Sequence, residues 1–266
     1  MFENDNIRNS LIEAGIPSDL AGKIADSYLP CYQIIPLGEE DYSTLGNSRA
    51  GGFPDLPPNI EWPIGEDGIN LYFVAQINLA DLSENVIPFL PKNGILYFFI
   101  NQWLWQDNKV VYFDGDLSQL KKAEIAHPSE KEHFNLPNGS CRITFQLAPT
   151  VNFLLDYFTG KATDNFKLYD YYYPTVQQVV PYLKSKIGGR TQYPPGYEAI
   201  EYFNKNDAPD YIVDIFKWHV LLHFETDFGD IDSFYWVDGR TLLYGINEEN
   251  LKALDFSQVY SGISEE

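Results

Sequence analysis

The chain has 266 residues, with 38 Asp or Glu against 18 Lys or Arg, a formal net charge of −20. A chain this acidic is repelled by phosphate backbones and by anionic leaflets, which argues against direct nucleic-acid or membrane-surface binding. With 44% hydrophobic and 16% aromatic residues it is too apolar for disorder and holds the material for a substantial core.

Met1-Phe2-Glu3-Asn4-Asp5 has neither a basic nor an apolar signal region. No apolar run approaches the roughly 20 residues of a transmembrane helix. A cytoplasmic location is therefore expected. Residues 1–30 read as a helical segment. Asn6 to Ala14 places Ile7, Leu11, Ile12 and Ala14 on one side, Pro17 stops the run, and Ser18 is positioned to cap a second helix from Asp19 to Tyr28. Cys31 to Leu37 reads as a strand. A Gly/Pro-rich stretch from Gly46 to Gly68 comes next; it carries Phe53, Leu56, Ile60 and Trp62, so we read it as an ordered loop packed onto the body. Strand-like runs then cover Leu71–Asn78, Ile95–Asn101, Lys109–Phe113, Ala123–His127 and Cys141–Leu147, with a helical turn over Leu79–Asn85. Short helices are expected over Asn152–Thr159 and Pro174–Lys184, and strands over Trp218–Phe224 and Thr241–Ile246. Asn247 caps a last helix through Leu254. The two cysteines, Cys31 and Cys141, are read as free thiols.

One internal echo organises the chain. Ser48-Arg49-Ala50-Gly51-Gly52 is repeated as Ser185-Lys186-Ile187-Gly188-Gly189. Each copy is followed by Trp62 or Trp218, then a strand with one polar residue, Gln76 or His223, then an apolar strand, Leu96–Ile100 or Leu242–Ile246. The ordered recurrence predicts a duplicated body, with repeats over about residues 46–101 and 183–247 inside one compact unit spanning 31–266. The fold expectation is α+β: N-terminal helices plus an internally duplicated β-rich body whose two similar halves share one core.

These stretches carry a family resemblance. Ser48-Arg49-x-Gly51-Gly52-x-Pro54-x-Leu56-Pro57, Trp62-Pro63, Phe73-Val74-Ala75-Gln76-Ile77-Asn78-Leu79, Leu90-Pro91-x-x-Gly94-Ile95-Leu96-Tyr97-Phe98-Phe99, and the second-half strings resemble the YwqG-like family of bacterial proteins. The resemblance spans roughly residues 31–260. It implies an α+β protein of bacterial cytoplasm and supplies no enzyme activity or cofactor. The occurrence of some members beside secreted toxins implies an immunity-like or interaction role. His223 stands where the family commonly has Gln, and Arg190-Thr191-Gln192 departs from the pattern after Gly189.

The residues offer two classes of function. Successive glycines can take positive φ and expose amides to an anion, and Arg49 and Lys186 stand just upstream. A ligand site between the repeats would therefore use Arg49, Gly51, Gly52, Gln76, Lys186, Gly188, Gly189 and His223. The bland alternative is tight turns with salt-bridged cations. His219 and His223 would share a strand face with Glu225, but no third ligand is fixed by spacing, so no metal is expected. The run Asp227, Asp230, Asp232, Asp238 fails the calcium-loop pattern. Nucleophile and phosphate-loop motifs are absent and no cofactor is expected. The tyrosines around Asp170 (Tyr169, Tyr171, Tyr172, Tyr173), with Trp103 and Trp105, are the residue types of binding surfaces. The leading expectation is a non-catalytic module that presents an acidic, aromatic surface to a basic protein partner; the alternative is a small-molecule binder or enzyme. The oligomeric state stays open.

Overall fold

The computed structural model describes residues 4–83, 86–101, 104–123, 139–152, 165–191, 195, 199, 214–225, 228 and 241–264. Two short helices come first. In α1 (Asn4–Glu13) Ile7 and Leu11, one turn apart, are buried. Ile12 is 40% exposed, so it lies off the buried stripe on which the sequence pattern placed it. The second helix, α2 (Ser18–Asp26), includes Ser18 instead of being capped by it; Pro17 takes the cap position with φ −55° and no side-chain bond. A third helix, α3 (Asn165–Val179), contains Pro174 and ends before Pro181. The expected helix over Pro174–Lys184 is thus shifted toward the N-terminus, because the residue ahead of a proline resists helical geometry. Tyr171 and Tyr173 are therefore helical. Val176 and Val180 join Ile7, Leu11, Ile16 and Ile24 in one apolar cluster, with Tyr172 at its edge.

The body is β1 (Leu29–Glu39), β2 (Arg49–Gly51), β4 (Tyr72–Asn78), β5 (Ile95–Ile100), β6 (Asn108–Phe113), β8 (Ser140–Thr150), β9 (Lys186–Gly188), β10 (Trp218–Glu225), β11 (Thr241–Asn247) and β12 (Tyr260–Ser264). They form a ten-stranded antiparallel sheet in the order β12-β11-β10-β9-β1-β8-β2-β4-β5-β6. The remaining strands, β3 (Asp55–Leu56) and β7 (Lys121–Lys122), pair separately. Lys121–Lys122 is extended and paired; residues 124–127 of the expected Ala123–His127 strand lie outside the described residues, as do 153–159 of the expected Asn152–Thr159 helix. A helix α4 (Glu248–Lys252) comes after β11, and Asn247 caps it by accepting from the Glu249 amide at 3.0 Å.

The sheet curls until its ends nearly meet. Phe98 on β5 and Tyr244 on β11 stack edge-to-face at 5.1 Å, and the Tyr244 hydroxyl donates to the Phe99 carbonyl at 3.1 Å. Asn108 Nδ2, on edge strand β6, donates to the Val259 carbonyl beside β12 at 3.0 Å. The enclosed side is filled by one side chain or more from nearly every strand, among them Tyr32, Ile34, Ala50, Ile77, Phe98, Ile143, Ile187, Phe224 and Ile246. The observed fold is therefore N-terminal helices plus a single nearly closed, barrel-like sheet.

Two bulges set the facing of the polar strand residues. Val74 is the extra residue where β4 pairs β5, and Leu221 is the extra residue where β10 pairs β11. Each puts two successive residues on the enclosed side and turns the next polar one, Gln76 or His223, outward. On the outer face of the first half, Leu56, Ile60 and Trp62 of the Gly/Pro stretch pack on Phe73, Tyr97 and Phe99. Trp62 Nε1 donates to the Leu71 carbonyl at 2.7 Å, which fixes that stretch as an ordered cover. Among the described residues no helix is long and apolar enough to cross a membrane.

Candidate functional site

The first Gly-Gly turn is built around Arg49, which is completely buried. Its neighbour in the ladder is Gln76. The guanidinium grips Asp55 through Nη2–Oδ2 at 2.5 Å and Nη1–Oδ1 at 3.2 Å, and donates to Asn47 Oδ1 at 2.7 Å and the Phe53 carbonyl at 3.1 Å. Glu40 lies 3.6 Å from Nε. Asp55, equally buried, also accepts from the Gly46 amide at 2.8 Å and from Gln76 Nε2 at 3.1 Å. Gln76 Oε1 in turn accepts from the Asp55 amide at 2.7 Å. Every charge here is met by a partner, as a buried ion pair requires.

Gly51 and Gly52 have φ of 68° and 69°, a left-handed geometry that other residues resist. A Cβ at Gly52 would sit 2.0 Å from the Tyr42 hydroxyl. That hydroxyl accepts from the Phe53 amide at 3.0 Å, and both the Arg49 guanidinium, at 4.6 Å, and the Lys122 ammonium, at 4.1 Å, lie over the Tyr42 ring. The first turn is sealed.

The second turn repeats the geometry with different chemistry. Gly188 and Gly189 both have φ of 75°, and a Cβ at Gly189 would meet Thr150 Oγ1 at 2.6 Å and Cys31 at 2.7 Å. Lys186 pairs His223 across the ladder and is completely buried. Its Nζ donates to the Leu183 carbonyl at 2.5 Å, lies 3.4 Å from His223 Nδ1, and sits 4.4 Å from the centre of the Tyr182 ring. No carboxylate is among these contacts. Burial therefore lowers the Lys186 amine to about 7, and burial plus the neighbouring lysine holds His223 well below the usual histidine range. Burial also pushes the Cys31 thiol up to about 12, against the pull of Lys186, so Cys31 is inert; both cysteines are free and buried.

The predicted site residues thus fall into two outer-face groups, Arg49–Gly51–Gly52–Gln76 and Lys186–Gly188–Gly189–His223. Strands β1 and β8 run between the groups, and neither Arg49 nor Lys186 lines the cleft that borders the second turn. The two turns differ in access. Beside Gly188 and Gly189 lies a cleft of about 240 Å³, lined by Leu29, Ile87, Pro88, Arg190, Thr191, Phe216, Trp218, His219 and Val220 among others. The sequence pattern passes over Arg190 as a departure from the family strings, although a cation directly after Gly189 is visible in it. Backbone and hydroxyl groups hold this residue: its amide donates to Thr150 Oγ1 at 2.8 Å and Nε donates to the Ser27 carbonyl at 2.9 Å. Burial keeps its guanidinium below the ordinary arginine range.

His219 also lines the cleft. The bulge at Leu221 turns it to the face opposite His223, so the two do not share a face as simple alternation predicts. His219 Nε2 lies 3.6 Å from Glu248 Oε2. Its burial lowers its proton affinity while Glu248 raises it, and burial dominates. Among the described residues no three His, Cys, Asp or Glu side chains cluster to hold a metal. Asp227, Asp230, Asp232, Asp238 and Trp103 lie outside the described residues.

The two clusters make opposite demands in stability measurements. Asp55→Ala leaves Arg49 buried without its carboxylate and is expected to cost about 3–5 kcal/mol in urea unfolding. The double replacement Arg49→Met with Asp55→Leu is expected to recover much of that loss; if it is as unstable as the sum of both single changes, the ion pair is not the relevant interaction. For Lys186 the sign is set by its depressed proton affinity. Between pH about 7 and 10.5 the unfolded chain holds more protons at this lysine than the folded chain, so the lysine contributes a rise of stability with pH across that window, opposed above pH about 9 by the raised Cys31 thiol. Lys186→Met is expected to flatten that rise in urea midpoints measured from pH 7 to 10; an unchanged slope contradicts the assignment.

No curated protein matches the chain. Residues 48–263, most of the chain and both Gly-Gly turns, match a family described as a domain of unknown function, DUF1963, and the chain belongs to that family.

Proposed function

We propose that this chain is a ligand-binding protein, not an enzyme, built by duplication, in which one Gly-Gly turn serves as scaffold and the other borders the binding site. Duplication is supported by the matched registers. Arg49 pairs Gln76 as Lys186 pairs His223, and the bulges at Val74 and Leu221 precede those polar residues by the same two positions. The Ser48 hydroxyl accepts from the Asn78 amide at 2.9 Å as that of Ser185 accepts from the Glu225 amide at 3.2 Å. The amide after each Gly-Gly pair is taken by a hydroxyl, that of Tyr42 in one half and Thr150 in the other. The kinship with YwqG-like proteins rests on the same residues.

The observation that carries the functional reading is the difference in access. Tyr42 closes the first turn, whereas the second opens onto the cleft that holds Arg190, His219 and Trp218. A concave site with an apolar lining and few polar groups is the ordinary form of a small-molecule site. The volume of about 240 Å³ suits a small ligand, since pockets for drug-sized molecules begin near about 300 Å³.

A basic protein partner is the second reading, favoured by the net charge of −20. Its binding would weaken steeply with salt, whereas a ligand held in the cleft would be less sensitive.

An amide-resolved NMR screen of small fragments against the whole chain checks the proposal. Hits are expected to shift Gly188, Gly189, Trp218 and His219 and to leave Gly51 and Gly52 unmoved. A screen whose hits fall elsewhere, or which yields none, overturns it.

A further inference from the structure

We propose that the cleft beside Gly189 recognises a small organic carboxylate, with the Arg190 guanidinium as its anchor and an apolar body of the ligand seated against Phe216, Trp218 and Pro88. This rests on the reading of the cleft as a binding site and adds the chemical class of the ligand.

The chain carries 38 acidic residues, yet none of the described residues lining this cleft is Asp or Glu. A cationic residue lines it, in a protein whose net charge has the opposite sign. Glu248 lies 3.6 Å from the lining residue His219 and is itself paired with Lys252 at 2.6 Å, so Arg190 sets a local field that favours an anion, while the global field discourages a strongly charged one.

Arg49 spends its guanidinium on Asp55, Asn47 and Phe53. Arg190 has its Nε bonded to the Ser27 carbonyl. Its two Nη groups have no hydrogen-bond partner among the described residues, and neither is among the atoms sealed from solvent. Anchoring Nε fixes the plane of the fork, so the two Nη groups form a preorganised pair of donors. That geometry matches the two oxygens of a carboxylate.

Leu29, Ile87, Pro88, Phe216, Trp218 and Val220 are apolar, and Phe216 is 51% exposed. A phosphate or a nucleotide would bring more charge than one guanidinium offsets. It would also leave its oxygens against hydrocarbon, where polar groups without partners are costly. A single carboxylate on an aromatic or aliphatic body uses both parts of the cleft.

The test uses the whole chain and four probes: benzoate, hexanoate, benzyl alcohol and inorganic phosphate, each titrated by NMR and by calorimetry. Benzoate or hexanoate is expected to bind saturably, to shift the Gly188, Gly189 and Trp218 amides, and to bind at least tenfold tighter than benzyl alcohol. Arg190→Lys, which keeps the charge but loses the fork, is expected to weaken the carboxylate at least tenfold. If benzyl alcohol binds as well as benzoate and shifts the same amides, the carboxylate assignment is overturned while the cleft stands as a binding site. Phosphate binding more tightly than both carboxylates overturns the assignment as well. If no probe binds, the assignment falls, and the fragment screen then decides the fate of the cleft itself. Should Arg190→Lys fold poorly, the comparison of benzoate with benzyl alcohol on the unaltered chain still decides the question.

Discussion

A guanidinium with no access to water must be surrounded by oxygens, and the grip of Arg49 on Asp55 supplies that surround at the centre of the first half. Asp55 lies in the Gly/Pro stretch, Gln76 on β4 and Glu40 just after β1. One ionic network therefore holds the outer cover, a central strand and the end of β1 in one arrangement. The Gly-Gly geometry is part of the same constraint. Two successive residues with φ near 70° precede Asp55, and Asp55 closes back on Arg49 six residues upstream. A substitution at Gly52 would collide with the hydroxyl that seals this turn.

The second Gly-Gly turn has a similar backbone geometry and a different charge arrangement. Lys186 pairs His223 as Arg49 pairs Gln76, and the Lys186 ammonium is held by a carbonyl and an imidazole instead of a carboxylate. The amine is consequently poised near neutrality instead of being locked in an ion pair. Access changes too. The flank of Gly189 opens to Trp218 and Arg190, where Tyr42 covers the corresponding flank of the first turn. We read this as a division of labour: one turn is committed to stability, and the other leaves a cation available to a ligand.

Much of the fold was legible in the sequence. The apolar strands β4, β5, β10 and β11, the capped helix after Asn247 and both Gly-Gly turns stood out from pattern alone. The three-residue strands β2 and β9 did not, because a run that short has no period. The bulges were equally hidden; they reverse the facing of His219 relative to His223, so counting by twos along β10 misplaces one of them. The near closure of the sheet depends on pairs such as Phe98 with Tyr244, which are separated by most of the chain. At the candidate site the glycines were legible and the cation was not. Arg49 and Lys186 are the motif residues, but burial consumes both. What makes Arg190 available is the position of the Ser27 carbonyl, 163 residues away in sequence, and no local signal reports that distance.

Arg49 as scaffold and Arg190 as ligand cation are separable in one experiment. Thermal unfolding of Arg49→Lys and Arg190→Lys, with and without benzoate, makes the distinction, because a ligand that binds only the folded chain raises the midpoint. Arg49→Lys is expected to lower the midpoint strongly in the absence of benzoate and to keep the benzoate-induced rise, while Arg190→Lys, which gives up only the bond to the Ser27 carbonyl, lowers the midpoint less and loses the rise. The opposite assortment, with benzoate stabilisation lost at Arg49 and retained at Arg190, would contradict this division of roles.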